Sequence, residues 1–209
     1  MKKLVCILLC IALLLSFAGC GAEKPAETTA ATEAAVPVGS VIVAVGAVFE
    51  LVYDKEGVAL ELKGLNEAGE EIAAACQQYV NRACVHGIRG LVRYISDNNR
   101  IGDAKTCSVR VRQGDPLPEE DFLETIITDT QYLADEECTG IRMVLLDATR
   151  LTDEGLIDED TAAHMASLFL QVAVTDVTVG ALNAEKLYTV TAGDLSCTID
   201  AVTGLVKAG

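Results

Sequence analysis

Eight cysteines and two histidines are the residues of this 209-residue chain best suited to metal, redox or nucleophilic chemistry. Five of the cysteines, Cys76, Cys84, Cys107, Cys138 and Cys197, lie beyond the first twenty residues, at spacings of 8, 23, 31 and 59. No pair has the two-residue separation of a zinc ribbon or a thioredoxin-like motif, so no metal site and no cofactor is expected from them. On one continuous helix Cys76 and Cys84 would stand about 12 Å apart along the axis, beyond disulfide reach. The odd count leaves at least one thiol free. Cys107 and Cys197 fall at inward positions of alternating runs, where a free cysteine acts as a small apolar residue. The pattern admits buried thiols, which would fit a reducing habitat, or one disulfide. His86 follows Cys84 by two residues, which on a helix turns it about 200° away from that thiol. His164 has no second histidine at helical spacing, and both histidines are expected at the surface or its boundary. The acidic runs "PEED", "DEE" and "DED" lack the alternating oxygen ligands and central glycine of a calcium loop, and read as helix caps and solvated faces. No catalytic residue is assigned, and the chain is not expected to be an enzyme.

The elements that would carry these residues follow from the hydrophobic period. Phe49, Leu51 and Tyr53 alternate with Val48, Glu50 and Val52; after "DKEG", Val58, Leu60 and Leu62 alternate with Ala59, Glu61 and Lys63. That is a β-hairpin with one buried face, the other, with Glu50, Glu61 and Lys63, expected to be wet. From Asn66 to Ile95 the period becomes helical, with Ile72, Cys76, Tyr79, Val80, Ala83, Ile88, Leu91, Val92 and Ile95 on one stripe and interruption expected near Gly87 or Gly90. "KTCSVRVR" restores alternation, with Cys107, Val109 and Val111 on one side and Ser108, Arg110 and Arg112 on the other. A helix is predicted over 118–133, where proline and acidic residues suit the first turn, and a strand over "GIRMVLLDA". Asp158 is placed to cap a helix whose Ala162, Met165, Leu168, Phe169 and Val172 share a face. Three β runs close the chain, "VTDVTVGAL", "KLYTVTA" and "LSCTIDAVTGLV", with Leu195, Cys197, Ile199 and Ala201 inward in the last. Helices beside mostly antiparallel strands give an α+β fold, with small antiparallel sheets packed against helices in two modules.

Charge and targeting bound the function. A formal net charge of −15 and a pI near 4.4 argue against nucleic acid as a partner, since phosphate binding needs clustered Lys and Arg. Acidic substrates are disfavoured for the same reason. The absence of Trp and 4% aromatic content argue against a carbohydrate-stacking platform. Lys2 and Lys3 precede an apolar stretch from Leu4 to Phe17, shorter than the roughly 20 residues that span a bilayer and suited to an export signal. It ends in "LSFAGC", which resembles a bacterial lipobox, with Phe17 in place of the usual leucine. The resemblance implies cleavage before Cys20 and lipidation of its sulfur, with membrane lipid the partner of acylated Cys20 and palmitate among its acyl groups. Residues 1–19 are then a signal peptide and 20–37 a flexible tether of Ala, Thr, Glu and Pro, which cannot offset the entropy of ordering. The expected location is the extracytoplasmic face of the cell membrane, with a lipid anchor.

Residues 38–150 and 151–209 form the two expected modules, with a seam between Thr149 and Asp158. In the first, "ELVYDKEGVALELKGLNEAGEEI" resembles the extracytoplasmic domain of RsgI-type anti-sigma factors through Glu50, Leu51, Asp54, Gly57, Val58, Leu65, Asn66 and Gly69. In that family the hairpin opens on Asp-x-Asn-Pro, whose Asn-Pro bond cleaves itself. Here those positions are Ala44, Val45, Gly46 and Ala47, so self-cleavage does not carry over and the stretch is scaffold. Five residues or fewer precede the apolar segment, which leaves no expected cytoplasmic module to hold a sigma factor. In the second module, "YTVTAGDLSCTIDAVTGLV" resembles the end of a PepSY-type domain through Asp200, Ala201, Thr203 and Gly204. That resemblance implies restraint of peptidases or sensing in the envelope. The expected function is a non-catalytic binding or sensing module with a protein partner outside the membrane; the alternatives are a structural envelope component or an enzyme of unrecognised type.

Overall fold

Val41, Val43 and Val45 alternate with Ile42 and Ala44, and both sets are buried, so the strand that holds them must be covered on two faces. A computed structural model describes residues 35–137 and 139–209. The expected signal peptide, the expected lipidation site Cys20, the expected tether through residue 34 and Cys138 lie outside the described residues. The buried strand, β1 (Gly39–Val45), is central in a five-stranded sheet with β2 (Ala47–Tyr53), β3 (Ala59–Gly64), β4 (Thr106–Val111) and β5 (Arg142–Leu145). Their spatial order is β3-β2-β1-β4-β5, antiparallel throughout except for the parallel pair β4 and β5. Helices α1 (Glu67–Ala75), α2 (Cys84–Asp97) and α3 (Phe122–Glu136) contribute Ile72, Ile88, Leu91, Ile95 and Ile126 to a core shared with Val41, Val43, Phe49, Leu51 and Val109.

A second sheet, β6 (Thr178–Val179), β7 (Leu187–Ala192), β8 (Leu195–Asp200) and β9 (Val206–Ala208), is antiparallel in that order. Helix α4 (Glu159–Leu170) packs on it through Met165, Ala166 and Phe169 against Val190, Cys197 and Ile199, and Val144 and Leu146 join the same cluster. The other face of the first sheet places Ile42, Ala44 and Val48 against Leu205. The fold is α+β, the class expected from the sequence. Asp158 caps α4 as predicted, its Oδ1 accepting from the Thr161 N–H at 2.7 Å.

Several local expectations change. The predicted helix from Asn66 to Ile95 is broken between Cys76 and Ala83, before Gly87 and Gly90 are reached. Asn81 takes a left-handed backbone, φ 63°. Its N–H donates to the Ala59 carbonyl at 2.7 Å, and the Ala59 N–H donates to the Arg82 carbonyl at 2.8 Å. The chain thus leaves helix to cover the free edge of β3, a tertiary gain that overrides local periodicity. Gly90 instead lies inside α2, where a Cβ would sit 2.2 Å from the Tyr79 ring. Cys76 and Cys84 therefore do not share a helix.

A bulge opposite Val52 and Tyr53 makes Ala59 and Leu62, rather than Val58 and Leu60, the buried residues of β3. Glu50 is not on a wet face: only 6% exposed, it accepts from the Arg112 guanidinium. Helix α3 starts at Phe122, later than Pro118, because Tyr53 holds the preceding segment. Its hydroxyl donates to the Pro116 carbonyl at 2.8 Å, and its ring meets Phe122 with centroids 5.2 Å apart. Helix α4 ends at Leu170, before Val172, with Gln171 left-handed. Leu195 is 49% exposed, not inward.

Candidate functional site

Strands β4 and β5 are parallel and joined by α3, so the loops leaving their carboxyl ends rise side by side. Such a place is where open α/β arrangements leave a crevice. The loops, residues 111–117 and 146–152, separate to form a groove of about 390 Å³. Its floor is apolar, made by Val111, Leu123, Leu146 and Leu151, with Leu117 at the lip, 42% exposed. The rim carries Arg112, Gln113, Asp115, Asp147 and Thr152.

Backbone and hydroxyl donors hold the two rim carboxylates. The Ser40 N–H donates to Asp115 Oδ2 at 2.8 Å, which ties the first loop to the start of β1. Asp147 Oδ1 accepts from the Thr149 hydroxyl at 2.6 Å and from its N–H at 2.9 Å, opening a short 3-10 turn over Ala148–Arg150. The Thr149 hydroxyl and then its N–H keep the Asp147 carboxyl below the usual range, so it stays ionised. Arg112 is spent on Glu50. Gln113 spans toward the second loop, its Nε2 donating to the Asp153 carbonyl at 3.4 Å.

Behind the groove, β4 meets the second sheet through polar groups. The Ser108 hydroxyl donates to the Thr203 and Gly204 carbonyls at 3.2 and 3.1 Å. Arg110 is 6% exposed and its Nη1 donates to the carbonyls of Gly155 at 3.0 Å and Val202 at 2.8 Å. Burial pulls its pKa down, opposed by the charge of Asp200. Asp200 builds the turn that Arg110 grips, its Oδ1 accepting from Val202 and Thr203 N–H groups. Gly204 closes the turn at φ 79°, where any Cβ would come within 2.3 Å of the Ser108 hydroxyl.

Neither loop was marked by the sequence reading. Strand order brings them together, and the one local signal is Gly114-Asp115-Pro116, a turn-forming run just before the predicted helix. Of the residues that were marked, Cys76, Cys84, Cys107 and Cys197 are free, buried and away from the groove. His86 and His164 are exposed. Of the acidic runs, Asp135 pairs with Arg142, Glu137 with Arg93, and Asp158 is a cap. Ala44 and Val45 end β1, Ala47 begins β2, and Gly46 alone turns the chain between them, at φ 65°. Among the described residues no three His, Cys, Asp or Glu side chains are grouped as a metal site would need.

Burial pushes the Cys84 and Cys107 thiols up to about 12 and those of Cys76 and Cys197 up to about 11. A raised folded-state value means the native state keeps protons the unfolded chain would release. The stability this contributes is complete below about pH 9 and is lost as pH rises toward 11 to 12. The urea midpoint is expected to fall across that window. At pH 8, iodoacetamide followed by peptide mass spectrometry should leave these four thiols unmodified in the native protein and alkylate them in urea. Rapid native labelling of Cys84 would contradict its burial.

No protein-family model matches the chain, and no curated protein matches it.

Proposed function

We propose that the protein is a membrane-anchored extracytoplasmic lipoprotein whose body is a non-catalytic binding module, restraining a secreted peptidase or taking part in envelope signalling. The observation that carries the binding reading is the groove at the carboxyl ends of β4 and β5. It is concave and preformed, with an apolar floor and a few fixed polar groups at its rim, the composition that ligand sites share. The anchoring reading rests on "LSFAGC" and on the Ala-, Thr-, Glu- and Pro-rich residues that follow it. An acidic body is repelled by an anionic bilayer, so acyl chains on Cys20 would carry attachment.

In the native host, Cys20→Ala is expected to abolish palmitate labelling and move the protein out of the membrane fraction. Mass spectrometry that finds Met1 retained and the Cys20 thiol unmodified in wild-type cells would refute the anchor. Binding is tested separately, by inhibition of secreted peptidases with the full chain in detergent.

A further inference from the structure

We infer that the groove receives the side chain of a lysine or arginine from an exposed peptide segment of a protein partner, an assignment that rests on the binding reading above. The floor of Val111, Leu123, Leu146 and Leu151 suits an aliphatic stem, which long cationic side chains lay along apolar surface while their charged ends stay near water. At the rim, Asp115 and Asp147 each have one carboxylate oxygen committed to the protein, to Ser40 and Thr149, and a second oxygen outside those bonds; the backbone and charge of Arg150 also act on Asp147, which leaves Asp115 the less compensated of the two. The one cation of the lining, Arg112, is already paired with Glu50.

The chemistry of other occupants fits less well. A carboxylate ligand would meet two fixed like charges. A wholly apolar one would strip water from Asp115 and Asp147 without replacing it, which is unfavourable for an ionised group. A cation on an apolar stem satisfies both parts of the site. The acidic balance of the whole chain adds attraction for a basic segment during encounter.

The test uses the full chain in detergent and four probes: capped pentapeptides with lysine, norleucine or glutamate at the centre, and spermidine. Dissociation constants come from calorimetry, and amide shifts of Gly114 and Thr149 report the location. The lysine peptide should bind at least about tenfold more tightly than the norleucine peptide, and the glutamate peptide more weakly still. Asp147→Asn should reduce lysine-peptide affinity about tenfold and raise norleucine-peptide affinity slightly, because the neutral amide loses less on shedding water, and Asp115→Asn should act in the same direction. Thermal melts verify that both variants remain folded. Equal affinity for lysine and norleucine overturns the cation assignment and leaves the groove as a binding site. Spermidine binding more tightly than the lysine peptide overturns the peptide assignment alone. If no probe shifts either amide, the inference and the groove-based binding reading both fall.

Discussion

Gly69→Ala is expected to destabilise the protein by about 3 kcal/mol, although alanine is the better helix former. Gly69 lies in the first turn of α1, which Asn66 starts with an extended backbone and a side chain that does two tasks. Asn66 Oδ1 accepts the Gly69 N–H at 2.8 Å and the Val48 N–H at 3.1 Å, so a single oxygen fastens the helix start to β2. The Val48 carbonyl accepts from the Leu65 N–H at 2.8 Å and closes the same junction. A Cβ on residue 69 would stand 2.2 Å from that carbonyl oxygen, 2.9 Å from Asn66 Oδ1 and 3.2 Å from the Gly64 Cα. The nearest obstacle is backbone and cannot rotate away, so the helix must lift from the sheet and strain both Asn66 bonds. Propensity favours alanine by up to about 1 kcal/mol, and overpacking plus the weakened cap outweigh it. For a chain of this size the melting temperature should drop by about 6 to 12 °C. Gly64→Ala should behave alike, because its Cβ would lie 2.0 Å from the Glu70 nitrogen. Calorimetric melts of both variants that overlay the wild type would mean that α1 does not approach β2 as described.

The same junction shows where local pattern carries structural information. Asn66 marks a change of period in the sequence, and the structure gives it and Gly69 separate physical duties. Phe49, Leu51 and Tyr53, the stripe from Ile88 to Ile95, and the Asp158 cap were equally legible, because each depends on neighbours within a few residues. Legibility failed where distant chain supplied the deciding contact. Helical period continued through Cys76 to Ala83, but the open edge of β3 drew Asn81 and Arg82 into backbone pairing. Glu50 follows the rhythm of an exposed position, but Arg112, just past the end of β4 and two strands of sequence later, pairs with it. The groove was invisible for a further reason: its two loops are about thirty residues apart and meet only because β5 enters parallel to β4. The period identifies strands; it does not state their order.

Arg110→Ala is expected to cost about 2 to 4 kcal/mol and to loosen one region selectively. Arg110 faces the second sheet from β4, and its Nη1 satisfies the Gly155 and Val202 carbonyls, which belong to two different turns. Truncation would leave both acceptors without this donor beside a cavity. The arginine is itself a compromise. Burial disfavours its charge, and its Nε has no hydrogen-bond partner among the described residues. Arg110→Met removes that desolvation penalty and fills most of the space, so it should be roughly 1 to 2 kcal/mol less damaging than Arg110→Ala, while still leaving the carbonyls unmet. This ordering separates a packing role from a hydrogen-bonding one. Hydrogen exchange provides the local reading: the Val202, Thr203 and Gly204 amides, which bond to Asp200, should exchange faster in both variants, while Val43 at the centre of the first sheet should change only with global stability. The effect should reach the groove, since Gly155 closes the Thr152 turn and Thr152 lies on the rim. Lysine-peptide affinity should therefore fall in Arg110→Ala although residue 110 is not among the groove's lining residues. Unchanged exchange at Val202 to Gly204 would show that the turn is held by Asp200 and Ser108 alone, and that β4 joins the second sheet without the arginine.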